Sequence, residues 1–386
     1  MTGGWLAGRG KSPPDVFPRL KTSGFHGSCA PAIASLRSSR LFIHSLLAGG
    51  PRATPTVWSC VVLALAVAAG PAPRATAQPP AVVGLERGEH AVVVTLGGRP
   101  FTSYVHSGHA KPILFPLVGP DGVPMTRSWP MVEGVAGEPH DHPHHESLWF
   151  THGSVNGIDF WAHKADDQGR RPRIEHVGIG GCTGGPTGVL ETTSRWLAAD
   201  GTVVCTDSRR IEFAGDDAAR TIDVAIVVHA DHGPLVFGDT KEGTLGLRVR
   251  PGLQLKDVNG SLGAAGHIVN SAGERDAAVW GRPARWVDYH GPLDGREVGV
   301  AIFDHPANLR HPSHWHARDY GLFAANPFGL HDFTGAPKGA GDHTVPAGGT
   351  LALRYRIVLH RGDAAAAGIE DRWQAWARPA AGGATP

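Results

Sequence analysis

The chain is poor in cysteine, with four in 386 residues. Cys29 and Cys60 fall in an N-terminal stretch that reads as a leader, so only Cys182 and Cys205 serve the body. That excludes a small disulfide-stapled scaffold and any CxxC or Cys/His zinc-finger spacing. The two remaining thiols either pair across a hairpin or stay buried and free. Long apolar runs are missing too. Val57 to Gly70 is shorter than the roughly 20 residues a spanning helix needs, and the small-x-small triplet Ala75-Thr76-Ala77 follows it. This reads as a signal-peptide core with its cleavage site. The preceding residues are too many for a signal n-region, which points to a start site set too far upstream. Residues 1–77 are therefore set apart from the fold as a leader, and export to the periplasm or beyond is expected. No membrane insertion is expected once that leader is removed. No basic run occurs. Beyond residue 77 the formal charge is about −6, so there is no footprint for nucleic acid or an anionic membrane. No G-x-S-x-G elbow is present, nor a P-loop, nor a G-x-G-x-x-G between strand and helix. Their absence argues against an α/β-hydrolase triad and a nucleotide site.

What is present is alternation. His90–Leu96, Arg173–Ile179, Gly188–Trp196, Thr202–Phe213, Ala219–His229, Thr244–Val249, Glu297–Phe303 and Leu351–His360 read as strands rich in Val, Ile, Thr and Leu. Asp121-Gly122, Asn156-Gly157, Asp200-Gly201, Asn259-Gly260 and Asp294-Gly295 supply turns. One helical period stands out at the tail, Ala364–Ala377, where Ile369, Trp373 and Trp376 recur at 3–4 spacing. With no linker or repeat from residue 78 to 386, the expected fold is all-β: one large antiparallel sandwich with a C-terminal helix.

Two histidine-dense segments carry the functional signal. The first holds His140, His142, His144, His145 and Glu146, then Trp149, His152, Asn156 and Trp161. The second holds His305, His311, His314, Trp315, His316, Arg318, Tyr320 and Asn326. Pro139 and Pro143 interrupt the first, and Pro306 and Pro312 the second, so both are loops that run into strands. Imidazole binds metals and moves protons near neutral pH. Two such loops, laced with Trp and carboxylates, suggest one site built from distant parts of the chain. The alternative for each histidine is a solvated or core-satisfied ring.

Several segments carry a resemblance. They are His142-Pro143-His144-His145 with Ser147-Leu148-Trp149-Phe150, His152-Gly153, Asp159-Phe160-Trp161, Gly238–Gly243, Arg285–Tyr289, and Asp304-His305-Pro306 through Trp315–Gly321 to Asn326–Gly329. They resemble a bacterial family of unknown function that carries the label "methane oxygenase PmoA". The body as a whole also looks like the galactose-mutarotase-like supersandwich. That likeness implies a sugar bound in an open cleft, with histidine and carboxylate as acid and base.

The first candidate chemistry is acid–base work on a carbohydrate or similar small molecule by His144, His145, His152 and His316 with Asp239, Glu242 and Asp288. Trp149, Trp161 and Trp315 would stack on a pyranose, and Asn156, Arg318 and Asn326 would hydrogen-bond its hydroxyls. For the tryptophans the alternative is core packing, and for Asp239 and Glu242 a solvated hairpin. The second candidate is a divalent transition metal. His142 and His144 form one H-x-H pair and His314 and His316 another, with His152 completing a set. Three readings stay open: a sugar-directed epimerase, lyase or hydrolase; a non-catalytic carbohydrate-binding protein; and a metal-dependent oxidoreductase.

Overall fold

The computed structural model describes residues 82–256 and 263–378. The expected leader, its two cysteines and the Asn259-Gly260 turn lie outside them. The first strands are β1 (Val83–Arg87), β2 (Ala91–Leu96), β3 (Arg99–Val105), β4 (Ile113–Leu114) and β5 (Leu148–His152). A long meander follows: β6 (Arg173–Thr183), β7 (Gly188–Leu197), β8 (Val203–Gly215) and β9 (Ala219–His229). Next come β10 (Leu235–Phe237), β11 (Gly243–Arg248), β12 (His267–Asn270), β13 (Trp286–Leu293), β14 (Arg296–Asp304), β15 (His314–Trp315) and β16 (Leu322–Asn326). Helix α1 (Leu330–Thr334), β17 (His343–Val345), β18 (Thr350–Arg361) and helix α2 (Ile369–Ala377) end the described chain.

Two eight-stranded antiparallel sheets result. The first runs β1-β2-β3-β4-β5-β11-β16-β15 and the second β12-β13-β14-β18-β9-β8-β7-β6. Alternation decides what each strand buries. Ile222, Val224, Ile226 and Val228 of β9 point inward from the second sheet. Leu148, Phe150, Leu245, Leu247 and Phe323 point inward from the first, and all lie in one shared core. Each such side chain contributes roughly 1.5–3 kcal/mol when fully buried. The Asp-Gly and Asn-Gly turns that lie among the described residues form as read. At Asp121-Gly122, Asn156-Gly157 and Asp294-Gly295 both residues take positive φ, the backbone a primed hairpin turn requires.

The outer faces differ. On the second sheet, Ile369 and Trp373 of α2 cover Ala219, Ala301, Phe303 and Val358. The helix starts five residues later than its sequence period suggests, because Gly368 takes a left-handed φ of 61° at its N-cap. On the first sheet, Val105, Ile113, Trp149, Trp161, Leu322 and Ala324 form a separate apolar layer facing away from the sandwich. That layer is the floor under the histidine loops. Cys182 and Cys205 are free thiols, and burial pushes the Cys205 thiol up. No helix of the described residues is long and apolar enough to cross a membrane.

Candidate functional site on the outer face of the first sheet

The pleat sets the site. In β5, Trp149 and Thr151 face outward while Leu148, Phe150 and His152 face the core. Trp149 is paired with Gly246 of β11, and Gly246 with Ala324 of β16. A side chain at Gly246 would meet Trp149 at 2.6 Å and Trp161 at 2.9 Å. Glycine there lets two indoles lie over the strand, with centroids 5.1 Å apart.

The first histidine loop is held above this floor by two buried arginines. Arg127 donates to the Asp141 carboxylate at 2.6 Å and to the carbonyls of Pro139, Asp141, His142 and His145. Arg248, the last residue of β11, reaches the same carboxylate at 2.9 and 3.1 Å. Both arginines are fully buried. Burial pushes the Asp141 carboxyl up, but His142, Arg248 and Arg127 outweigh it and hold it well below the usual range. His142 takes a φ of 46°, a strained backbone for a residue with a side chain, which costs on the order of 1 kcal/mol or more. The arginine clamp keeps it there. At the other end of the loop, Glu146 accepts from Lys111 and His109 at 2.5 and 2.7 Å. Burial opposes its charge, yet Lys111 and His109 hold it at about 2.

The second loop meets the first at aromatic rings. His142 lies parallel to Tyr320 at 5.1 Å and to His145 at 4.7 Å, and His145 stacks on Trp149 at 5.4 Å. Arg248 sits 4.7 Å from the Tyr320 ring. Tyr320 and Arg318 occupy a tight turn closed by Gly321 N–H donating to the Arg318 carbonyl at 3.0 Å. The Tyr289 hydroxyl, from the second sheet, braces that turn at the carbonyls of Arg318 and Leu322, 3.0 Å from each. His316 faces outward beside Trp280, 5.0 Å away, and its Nδ1 lies 3.8 Å from the Glu242 carboxylate.

Hydrogen bonds fix the tautomers. Arg248 can only donate, so Nδ1 of His145 accepts at 3.2 Å and the proton sits on Nε2. The Lys241 carbonyl can only accept, so Nδ1 of His316 carries its proton and Nε2 keeps a lone pair. Nδ1 of His142 donates to Asp141 at 2.8 Å, which leaves Nε2 free on an exposed ring. Burial pushes His316 down to about 3, helped by Arg318 and Lys241. It also takes His144 to about 3, with Lys111 adding to it, and His163 to about 4. His145 falls well below its ordinary value for the same reason. The rings of His144, His145, His163 and His316 are neutral at physiological pH.

The expected residues divide. His142, His144, His145, His316, Glu242 and Arg318 come together on this face, while Trp149 and Trp161 lie fully buried beneath the loops, packed as core and not available to stack on a pyranose. The others do not. His152 faces the core between Phe237 and Phe328, with Nε2 donating to the Gly238 carbonyl. Asp288 lies on the outer face of the second sheet, bonded to His290 at 2.6 Å and His360 at 2.7 Å. Asp239 ties loops by accepting the amides of His331 and Gly341. Trp315 points into the core, donating to the Ala284 carbonyl. Asn156 bonds the backbone at Pro234 and Val236, and Asn326 that at Thr240 and Phe328. The side-chain amides of both asparagines are thus engaged within the fold, whereas Nδ1 of His152 is buried without a partner among the described residues. His314 stacks on Phe333. Among the described residues no three His, Cys, Asp or Glu side chains converge to hold a metal ion, which corrects the set of His142, His144, His152, His314 and His316.

Arg127, Arg248, Lys111, His163 and Trp280 belong to the site and were not anticipated. Arg248 left a signal: it is the single charge in the expected strand Thr244–Val249, out of phase with Leu245 and Leu247. A groove of about 440 Å³ opens elsewhere, on the second sheet around Ser208, His229 and Asp231. It shares no residue with the histidine loops.

No curated protein matches the chain. Among solved structures, an alpha-galactosidase from Lactobacillus brevis is 9% identical, with 72% of this chain and 39% of that one covered and a TM-score of 0.36. A galactose mutarotase related enzyme from Lactobacillus acidophilus is 10% identical, with 73% and 98% covered and a TM-score of 0.31. The chain thus spans about two fifths of the alpha-galactosidase's length. Residues 91–374 match a family of unknown function, DUF6807. The chain belongs to that family.

Proposed function

We propose that this face binds a carbohydrate or sugar derivative and acts on it by acid–base chemistry. The observation that carries the reading is the meeting of the two histidine loops at His142 and Tyr320, 5.1 Å apart, over the Arg248 guanidinium. Asp141 fixes the tautomer of His142, so its exposed Nε2 is the basic atom best placed to take a proton from a substrate hydroxyl or carbon. Nε2 of His316 offers a second lone pair across the site, with Glu242 beside it. Arg318 stands ready to neutralise charge developing on a substrate oxygen. Tyr320 and Trp280, both half-buried, supply the ring surface against which a pyranose packs.

The PmoA-like motifs and the DUF6807 match we take as marks of one family, and the sugar reading agrees with the mutarotase-like character of the sequence. We propose also that the body is exported as one sandwich domain after removal of residues 1–77, which N-terminal sequencing of the mature protein tests. The test of function is proton NMR in D2O with a panel of pyranoses and oligosaccharides. Wild type is expected to exchange a sugar C–H or cleave a bond, and H142Q and H316Q to lose at least about a hundredfold in rate. Unchanged rates in both variants overturn the assignment. A second reading, binding without turnover, draws on the low basicity of His144 and His316. Calorimetric binding with no product after long incubation would establish it.

A further inference from the structure

Four of the five cations of the site have a carboxylate partner, two of them sharing one. Lys111 pairs with Glu146, Arg127 and Arg248 with Asp141, and Lys241 with Glu242. Arg318 has no carboxylate within ion-pair reach among the described residues. Its guanidinium is held instead by two ring faces, 4.9 Å from Trp280 and 5.5 Å from Tyr320. Aromatic faces hold a guanidinium in place and leave its N–H groups without acceptors. The side chain is half-buried, and the neighbouring imidazole of His316 has its Nδ1 proton committed to the Lys241 carbonyl. A cation kept in place, stripped of part of its water and without a counter-ion among the described residues is a receptor for one.

We propose that the ligand of this site is an acidic sugar, and that Arg318 receives its carboxylate. The inference rests on the sugar reading above and narrows it. One carboxylate matches one unpaired guanidinium in charge, and its two oxygens match the guanidinium fork. A phosphate dianion would need a second accessible cation; Lys111 and Lys241 are paired, and Arg127 and Arg248, which share Asp141, are fully buried. The seated carboxylate places the sugar ring against Trp280 and Tyr320, with His142 Nε2 and His316 Nε2 on either side of it.

Isothermal titration of the whole protein with D-glucuronate, D-glucose, glucose 6-phosphate and lactate tests this. Wild type is expected to bind glucuronate at least about tenfold more tightly than glucose, as a charge-assisted bidentate pair implies. R318M keeps the aliphatic stem and is expected to narrow that ratio to within about twofold. Equal affinity for glucuronate and glucose overturns the proposal and leaves the sugar reading standing. A preference that survives R318M also overturns it, as does glucose 6-phosphate binding more tightly than glucuronate. Lactate bound through Arg318 with no sugar bound keeps the anion seat and removes the sugar reading. No binding by any of the four removes both.

Discussion

Arg248 Nη1 stands 3.2 Å from Nδ1 of His145, and this pair fixes where the imidazole proton sits. The guanidinium has only donors, so His145 is an Nε2–H tautomer, while His316, bonded to a carbonyl, is the opposite one. Long-range proton–nitrogen NMR of labelled protein is expected to show unprotonated Nδ1 in His145 and unprotonated Nε2 in His316. The reverse pattern in either ring removes that hydrogen bond. In R248M the Asp141 carboxylate keeps Arg127 but loses its second cation, and His145 loses its donor. A loss of about 2 kcal/mol or more in urea unfolding is expected.

Gly246 is the spacer beneath Trp149 and Trp161. G246A places a methyl 2.6 Å from one indole and 2.9 Å from the other. Neither ring can retreat, since both are fully buried. A cost of about 1–3 kcal/mol is expected, the range for overpacking a tight core. A melting temperature equal to wild type would show that the indoles have room after all.

Stability should fall on the acid side. His144 and His316 are held near 3 in the folded chain, against about 6.5 unfolded. Between those values the unfolded chain binds more protons, so stability is full above about 6.5 and declines as pH drops toward 3. The slope is up to about 1.4 kcal/mol per pH unit for each ring. His290 has the opposite sign. Burial lowers it, but Asp288 raises it further, so its contribution is full below about 6.5 and fades as pH climbs through its raised value. Urea midpoints across pH are expected to flatten on the acid limb in H316N and on the alkaline limb in H290N.

Asp288 separates structure from chemistry. Its two oxygens each hold an imidazole, His290 at 2.6 Å and His360 at 2.7 Å, and it is fully buried. Gly299 makes room for this, since a side chain there would come within 2.3 Å of His360. D288N is expected to cost about 3 kcal/mol while leaving glucuronate affinity within about twofold at temperatures where the variant is folded. A larger loss of affinity would tie the second sheet's outer face to the binding site.

The strands were legible because one face of each is apolar, as in Ala219–His229, where Ile222, Val224, Ile226 and Val228 keep strict alternation. Short strands such as Ile113–Leu114 were not, because two residues carry no period. The same alternation limits what can be read of the site. His152 and Trp149 look equivalent in a list of polar and aromatic residues, yet a three-residue offset along β5 sends them to opposite faces. Asp239 is an acid whose partners lie about 100 positions away, and of the two partners of Asp288 only His290 is local while His360 lies 72 positions on; the sequence does not announce that these acids are fully engaged. Arg127 was missed for the complementary reason: its acceptors are mostly backbone carbonyls, which every sequence has.

Arg127 makes five hydrogen bonds to the 139–145 stretch, so the loop's shape is set before any ligand arrives. A surface built this way has little ordering left to do on encounter. Its association should be a single fast phase whose rate follows solvent viscosity and salt, without the slow relaxation that a closing flap would add.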